Sequence, residues 1–273
     1  MSPVPRVFRL GFRRHDPQAC APLLKAVFWL FVLLLSNGPG PKTAVLADES
    51  PHHGHAGAAG HDSATVRHRF EEAEHWAKVF EDPARDEWQR PDYVVRFVGL
   101  DSADRVADIG SATGYFGVHL ARAVPAGKVF GIDIEPSLVD FLNRRAEEEG
   151  LGNLKSLLGE PSDPKIPGPV DLIFLCDTYH HIDGRVEYFH NLQNSLATGG
   201  RIVIVDFKPG ELPVGPGPAH KIDSRRIAAE MYAAGYDLIR TDEALPYQFI
   251  LEFRVRPPLD LKRQGPGNRR DSL

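Results

Sequence analysis

The chain has 273 residues, of which 42% are hydrophobic and 25% charged, the composition of a globular protein with one sizeable core. Residues 1–47 hold six of its 32 basic and one of its 37 acidic residues, which leaves 26 basic and 36 acidic residues in the remainder. The net negative charge of residues 48–273 argues against binding to nucleic-acid phosphates, and we expect no nucleic-acid partner.

Residues 1–47 have the pattern of an export signal. A basic stretch up to Lys25 precedes an apolar run over residues 26–35, and small residues then lead to Ala47. This order predicts a signal peptide cleaved after Ala47 and an exported protein, periplasmic or secreted. The apolar run is about half of the roughly 20 residues that a membrane-spanning helix needs, so no stable span is expected after cleavage. An uncleaved leader that anchors the protein to the membrane is the alternative.

Residues 48–62 form a polar, glycine-rich segment that cannot build a core, so a disordered linker is predicted. Clustered imidazoles can ligate zinc, copper or nickel. The linker's histidines are therefore candidate ligands of a peripheral divalent metal, and a solvated linker without metal is the alternative. The four candidates are His52, His53, His55 and His61.

The body of the chain begins with two predicted helices, over residues 63–82 and from Pro91 onward. Short apolar runs then alternate with amphipathic segments, a pattern typical of a parallel sheet with helices on both faces. The predicted strands are 105–109, 128–132, 154–158, 170–176 and 201–207, and the predicted helices between and after them are 115–123, 137–149, 185–197 and 224–234.

The end of the body breaks this alternation. The runs 236–240 and 248–254 are strand-like and are joined by a short turn, so they are predicted to form an antiparallel hairpin at the sheet edge. The tail 257–273 is rich in Pro, Gly and Arg and is predicted to be disordered. The expected architecture is a mostly parallel α/β sheet of seven strands in a domain over 63–256, with ligands at the carboxyl ends of the strands.

The turn after the first predicted strand combines small residues with one carboxylate. Gly110, Ala112 and Gly114 let backbone N–H groups approach a ligand at the start of the next helix. A dinucleotide-binding fingerprint would require glycine where this chain has Tyr115, so a nicotinamide oxidoreductase is disfavoured. The carboxylate of Asp108 suits a cationic ligand better than a pyrophosphate.

The pattern Asp108-x-Gly110-x-Ala112-x-Gly114 resembles the first motif of class I S-adenosylmethionine-dependent methyltransferases, with alanine at 112 where glycine is commoner. Stretches ending at Asp133, Glu160, Asp177 and Asp206 resemble the later motifs, in order, and the resemblance covers about residues 65–256. It implies a Rossmann-like class I methyltransferase fold with S-adenosylmethionine as cofactor. Asp133 would bind the ribose hydroxyls, and Glu160 would lie near the adenine amino group. The full set of implied cofactor-binding residues is Asp108, Gly110, Ala112, Gly114, Asp133, Ile134, Glu160 and Asp177.

The segment after the fourth predicted strand holds the candidate catalytic residues Asp177, His180 and His181. A sulfonium donor is already activated, so the protein must chiefly position a nucleophile, and it needs a base only for a protonated acceptor. Adjacent histidines at a helical start are expected to point apart. His181 is favoured, because the family often has a histidine just before the apolar residue found here as Ile182. Support of the loop by both histidines is the alternative.

Missing motifs restrict the acceptor. The sequence Asp177-Thr-Tyr-His differs from the Pro-Pro motif of enzymes that methylate amino groups of nucleic acids, and there is no Pro-Cys nucleophile. Arsenite methyltransferases rely on several cysteines, whereas only Cys176 lies outside the leader. A methyltransferase that acts on a small organic molecule by in-line displacement is therefore predicted. Because S-adenosylmethionine is made in the cytoplasm, the alternative is an exported protein that binds it, or handles metal, without turnover.

Overall fold

The computed structural model of the protein describes residues 73–257. The predicted signal peptide, the linker 48–62 with its four histidines and the tail 258–273 lie outside the described residues, as do residues 63–72 of the first predicted helix. Within residues 73–257, no helix has both the length and the apolar character required to cross a membrane.

Seven strands form one sheet, and its order confirms the predicted fold. The strands are β1 Arg105–Ile109, β2 Lys128–Asp133, β3 Leu154–Leu158, β4 Val170–Cys176, β5 Leu196–Phe207, β6 Tyr236–Asp242 and β7 Gln248–Val255. They are arranged β3-β2-β1-β4-β5-β7-β6. The first five are parallel, β7 is antiparallel to β5, and β6 is antiparallel to β7. The winding direction reverses between β1 and β4, so a ligand crevice is expected at the carboxyl ends of these two strands.

Helices cover both faces of the sheet. They are α1 Ala73–Phe80, α2 Arg85–Gln89, α3 Pro91–Val98, α4 Tyr115–Ala123, α5 Pro136–Glu148, α6 Arg185–Leu192 and α7 Ser224–Ala233, with a 3-10 turn at Tyr179–His181. Buried side chains of α3, α4 and α5 pack on one face, and those of α6 and α7 pack on the other. Strands covered on both sides read as continuous apolar runs, which is why their positions could be predicted.

One predicted helix end is wrong. The helix predicted over 185–197 stops at Leu192, and β5 begins at Leu196, five residues before the predicted start at 201. A register shift occurs where β4 pairs with this first part of β5. A Cβ atom at Gly200 would lie 3.0 Å from the carbonyl oxygen of Val170. Glycine at this position therefore lets the two backbones approach closely enough to pair.

Candidate active site

The turn after β1 is held tightly against its neighbours. The N–H groups of Gly110 and Ser111 donate to the carbonyl of Ile132, at 2.8 and 3.1 Å. Gly110 has φ +74, and a Cβ atom there would lie 2.2 Å from the hydroxyl oxygen of Thr178. Glycine at position 110 is therefore required both by the backbone and by the close approach of the turn after β4.

Ala112 adopts a left-handed conformation, with φ +47. This conformation costs an alanine roughly 1–2 kcal/mol, whereas glycine adopts it freely. The N–H of Ala112 donates to Asp133 Oδ2 at 2.9 Å, and the N–H of Glu135 donates to Oδ1 at 3.1 Å. Burial raises the pKa of Asp133, and these backbone hydrogen bonds act against the rise. Asp133, at the end of β2, therefore ties the β1 turn to the neighbouring strand.

Asp108, at the end of β1, is buried, and its Oδ2 has no hydrogen-bond partner in the part of the chain that the structure describes. Burial, together with repulsion from Asp133, raises the pKa of this carboxyl to about 7. Two neighbouring buried carboxyl groups with an unsatisfied oxygen favour a ligand that carries positive charge. The donor set of this turn therefore fits a sulfonium and ammonium ligand such as S-adenosylmethionine.

Apolar side chains flank this turn at the ends of β2 and β3. Ile134 and Leu158 are 49% and 51% exposed, although both are aliphatic, and Leu158 is paired with Asp133 across the two strands. Exposed aliphatic groups beside the carboxylate of Asp133 are suited to packing against a flat ring of a ligand. Glu160 lies two residues further, more than half exposed, in an ion pair with Lys165. Sequence reasoning missed Leu158, whose signal is an apolar side chain at the carboxyl end of a predicted strand.

The N-terminal helices are bonded to the first turn of α4 and to α5. Glu81, which follows α1, accepts a hydrogen bond from the Thr113 hydroxyl at 2.6 Å and forms an ion pair with Arg145 at 2.7 Å. The hydroxyl of Tyr115 donates to Asp86 Oδ1 at 2.5 Å. These contacts hold α1 and α2 against the segment that follows the β1 turn.

Asp177 follows β4 with φ +54, and polar side chains from distant parts of the chain hold both of its carboxylate oxygens. Gln89 Nε2 donates to Oδ2 at 3.1 Å, Arg85 lies 3.5 Å from the same oxygen, and Gln248 Nε2 donates to Oδ1 at 2.5 Å. Burial raises the pKa of Asp177 to about 6, although Arg85 lowers it. Asp177 is thus a fixed carboxylate between β1 and β5. Sequence reasoning missed Arg85, Gln89 and Gln248, which approach it only in the fold.

His180 forms a buried pair with Asp206. Its Nδ1 lies 3.0 and 3.1 Å from the two carboxylate oxygens of Asp206, at the end of β5. Burial lowers the pKa of the imidazole, but the charge and hydrogen bond of Asp206, with the charge of Asp177, raise it above its ordinary value. The neutral imidazole therefore carries its proton on Nδ1, which makes Nε2 the basic nitrogen.

The expectation that the two histidines point apart is wrong. The rings of His180 and His181 are 4.2 Å apart between centroids and inclined by 43°. They share a 3-10 turn, in which His181 N–H donates to the carbonyl of Thr178 at 2.9 Å. This ring contact places both imidazoles on the same side of the turn. His180 is buried, whereas His181 is only half-buried.

Anchoring of the 3-10 turn to α7 depends on a buried ion pair. Glu230 accepts from the Tyr179 hydroxyl at 2.8 Å and from Arg185 Nε at 2.7 Å. All three side chains are buried. This network fixes the segment that carries His180.

Metal ligands are not clustered in the described domain. Residues 73–257 contain no group of three or more His, Cys, Asp or Glu side chains arranged to hold a metal ion. The metal predicted at His52, His53, His55 and His61 concerns residues outside this range and stays a prediction.

The strand order, the glycine turn after β1 and the carboxylate ending β2 together define a class I S-adenosylmethionine-dependent methyltransferase fold. A family model described as a methyltransferase domain matches residues 100–249. The chain belongs to this methyltransferase domain family.

Curated relatives give a more specific but partial likeness. A ubiquinone/menaquinone biosynthesis C-methyltransferase UbiE from Geobacter sp. (strain M21) is 26% identical over 130 residues, which cover 46% of this chain and 54% of that protein. The UbiE of Pseudomonas putida (strain GB-1) is 26% identical over 180 residues, 62% of this chain and 65% of that protein. The chain thus spans between half and two thirds of the length of these relatives.

Solved structures share the fold. A SAM-dependent methyltransferase from Aquifex aeolicus is 26% identical with a TM-score of 0.63, covering 67% of this chain and 98% of that chain. The [4+2]-cyclase SpnF is 15% identical with a TM-score of 0.52, covering 62% of this chain and 81% of that chain. The second likeness concerns the fold alone, which therefore accommodates more than one reaction.

Proposed function

We propose that this protein transfers the methyl group of S-adenosylmethionine to a small organic acceptor, with His180 as the base that removes the acceptor's proton. The observation that carries the proposal is the buried His180–Asp206 pair, which joins the 3-10 turn after β4 to the end of β5. A buried carboxylate that fixes the tautomer of an imidazole is a common arrangement for a general base.

The residues at the carboxyl ends of the strands have different roles in this proposal. When bound, S-adenosylmethionine supplies a methyl group on a sulfonium that is already activated for displacement. Asp108, Asp133 and the β1 turn would orient this cofactor, and α1 and α2 would exclude water from it. Asp177 would lie where the cofactor and the acceptor meet. Holding the two reactants in line can lower the activation barrier by roughly 7–11 kcal/mol. His181 stays a second candidate base, and it is less deeply buried than His180.

The experiment is a methyl-transfer assay that follows release of S-adenosylhomocysteine with a panel of small hydroxyl, amine and ring-carbon acceptors. The ring-carbon member is included because the curated relatives are named as C-methyltransferases of quinone biosynthesis. His180→Gln is expected to lower kcat by roughly 100-fold or more, with little change in cofactor affinity. His190→Gln, on α6, is the matched control, and a His180 variant with full activity would refute the role of base.

A second candidate function is binding of S-adenosylmethionine without methyl transfer. The [4+2]-cyclase SpnF, which shares the fold, is named for a different reaction, so this fold does not by itself imply methyl transfer. Tight binding of S-adenosylmethionine, with no release of S-adenosylhomocysteine for any acceptor in the panel, would favour this second function.

We also propose that the protein is exported after cleavage behind Ala47 and that the linker histidines bind a divalent metal. The basic and apolar leader and the spacing of the four imidazoles support this proposal. N-terminal sequencing of the protein recovered from its host should give Asp48 as the first residue, and an intact Met1 in a cytoplasmic fraction would contradict export. Deleting residues 52–61 should abolish zinc or nickel binding, and unchanged stoichiometry would contradict the metal role.

A further inference from the structure

Gln248, the first residue of β7, has a buried side-chain oxygen that could still accept a hydrogen bond. Its side chain is fully buried, and its Oε1 has no hydrogen-bond partner among the described residues. A buried oxygen without a partner is unfavourable, so such a group in a site calls for a donor from a ligand.

The orientation of this amide is fixed by its neighbour. Gln248 Nε2 donates to Asp177 Oδ1 at 2.5 Å, and a carboxylate oxygen can only accept that bond. The amide nitrogen therefore faces Asp177, and Oε1 is the end that remains for a ligand. Asp177 is itself held by Gln89 on its other oxygen, so the amide cannot turn over without breaking the cluster.

The position of Gln248 in the sheet assigns it to the acceptor side. The residues expected to hold the cofactor end β1 and β2, on one side of β4. Gln248 is paired with Phe207 at the end of β5, on the other side of β4. Gln248 therefore lies on the β5 side of β4, away from the β1 turn, and its side chain is on the opposite sheet face from that of Asp206, which is paired with Phe249.

Three aromatic residues accompany these polar groups. Trp88 lies 5.9 Å from Phe207 and 6.2 Å from Tyr247 between ring centroids. In the chain, each ring directly adjoins a polar residue of the site, namely Gln89, Asp206 and Gln248. Trp88 and Tyr247 are partly exposed, so ring surface remains for contact with a ligand. Aromatic walls of this kind favour flat, ring-shaped partners.

We propose that Gln248 is the specificity-determining residue of the acceptor site, and that the acceptor is a planar aromatic ring whose hydroxyl group donates to Gln248 Oε1. The aromatic set of Trp88, Phe207 and Tyr247 packs against the ring. The inference rests on the proposed function, because it takes this half of the site to receive the methyl acceptor.

The test compares phenol with anisole, which has the same ring and oxygen but no donor. Each probe is titrated into the full chain saturated with S-adenosylhomocysteine, and binding is followed by saturation-transfer NMR. The wild-type protein should bind phenol roughly tenfold more tightly than anisole. Gln248→Met, of similar volume, should lose this preference and keep its affinity for S-adenosylhomocysteine. Gln193→Met, just before the first residue of β5 and therefore at the other end of this strand, should keep both.

Three results would overturn the proposal: no binding of phenol to the wild-type protein, an unchanged preference in Gln248→Met, or a parallel loss of S-adenosylhomocysteine affinity that assigns Gln248 to the cofactor. If Gln248→Met does not fold, Gln248→Asn withdraws the same oxygen by one methylene and should lose the preference equally. Absence of S-adenosylhomocysteine binding in the wild-type protein would instead contradict the proposed function itself, so the two failures are distinguishable.

Discussion

Asp108 is a carboxyl group that the folded protein holds in an unfavourable environment. Its burial and the nearby Asp133 raise its pKa to about 7 from an ordinary value near 3.8. The folded state therefore binds a proton at this site between about pH 4 and pH 7 that the unfolded chain has already lost. Stability consequently falls as the pH rises through this window.

Replacing Asp108 with Asn should reduce this pH dependence, because the amide cannot ionise. Urea unfolding at pH 5 and pH 8 should show a loss of stability in the wild-type protein that exceeds the loss in the variant by a few kcal/mol, at about 1.4 kcal/mol per pKa unit. Asp177, whose pKa is raised to about 6, leaves part of the slope in place. The exposed Asp101→Asn is the control. Identical slopes in wild type and Asp108→Asn would contradict the raised pKa.

Asp133 has a different role, because its oxygens are already used by the protein. Asp133→Asn should weaken binding of S-adenosylhomocysteine roughly 10- to 100-fold, since an amide cannot accept the Ala112 and Glu135 N–H groups and two ribose hydroxyls together. Calorimetric titration measures the change, with Asp140→Asn on the exposed side of α5 as control. An unchanged affinity would refute the assignment of Asp133 to the cofactor.

The element that carries His180 is anchored to α7 by a buried carboxylate. Glu230 holds Tyr179 and Arg185, and both of those side chains are buried. Removing one partner of such a pair leaves a charge in the interior, which costs more than the pair itself contributes.

Glu230→Ala should therefore destabilise the protein by about 3–5 kcal/mol in urea unfolding, because Arg185 loses its buried counter-charge. The double variant Glu230→Leu with Arg185→Met should recover much of that loss, since no buried charge remains. Disruption of the exposed pair Arg225–Asp223 by Arg225→Ala should change stability by less than about 1 kcal/mol. Equal losses in all three variants would show that burial does not govern the effect.

Helices and strands with a regular apolar pattern could be predicted from the sequence, whereas a mostly polar helix could not. The strand 170–176 was predicted with the bounds that the structure gives, because nearly all of its side chains are buried and it forms a continuous apolar run. Helix α2 was missed, since Arg85–Gln89 has four polar residues in five and no repeating apolar position. Its role comes from tertiary contacts, above all from Arg85 and Gln89 to Asp177.

At the scale of the whole molecule, the site is a row of side chains along one edge of the sheet. The cofactor half follows from local motifs, since Asp108, Gly110 and Asp133 each end or follow a predicted strand. The acceptor half does not, because Gln89, Asp177 and Gln248 are separated by 88 and 71 residues. The strand order, with β7 beside β5, brings Gln248 to Asp177, and the packing of α2 brings Gln89 to the same carboxylate.

Because the cofactor half joins β1, β2 and the N-terminal helices, binding there should stabilise the entire domain. S-adenosylhomocysteine at 100 times its Kd should add about 2.7 kcal/mol to the free energy of unfolding, which corresponds to a rise in Tm of roughly 5–10 °C. NAD should give no shift, because Tyr115 replaces the glycine that a dinucleotide fingerprint requires. Differential scanning calorimetry of the full chain with each ligand measures both values. A rise in Tm with NAD and none with S-adenosylhomocysteine would contradict the assignment of the β1 turn to S-adenosylmethionine. If the rise with S-adenosylhomocysteine disappears in Asp133→Asn, the stabilisation of the whole domain depends on that carboxylate.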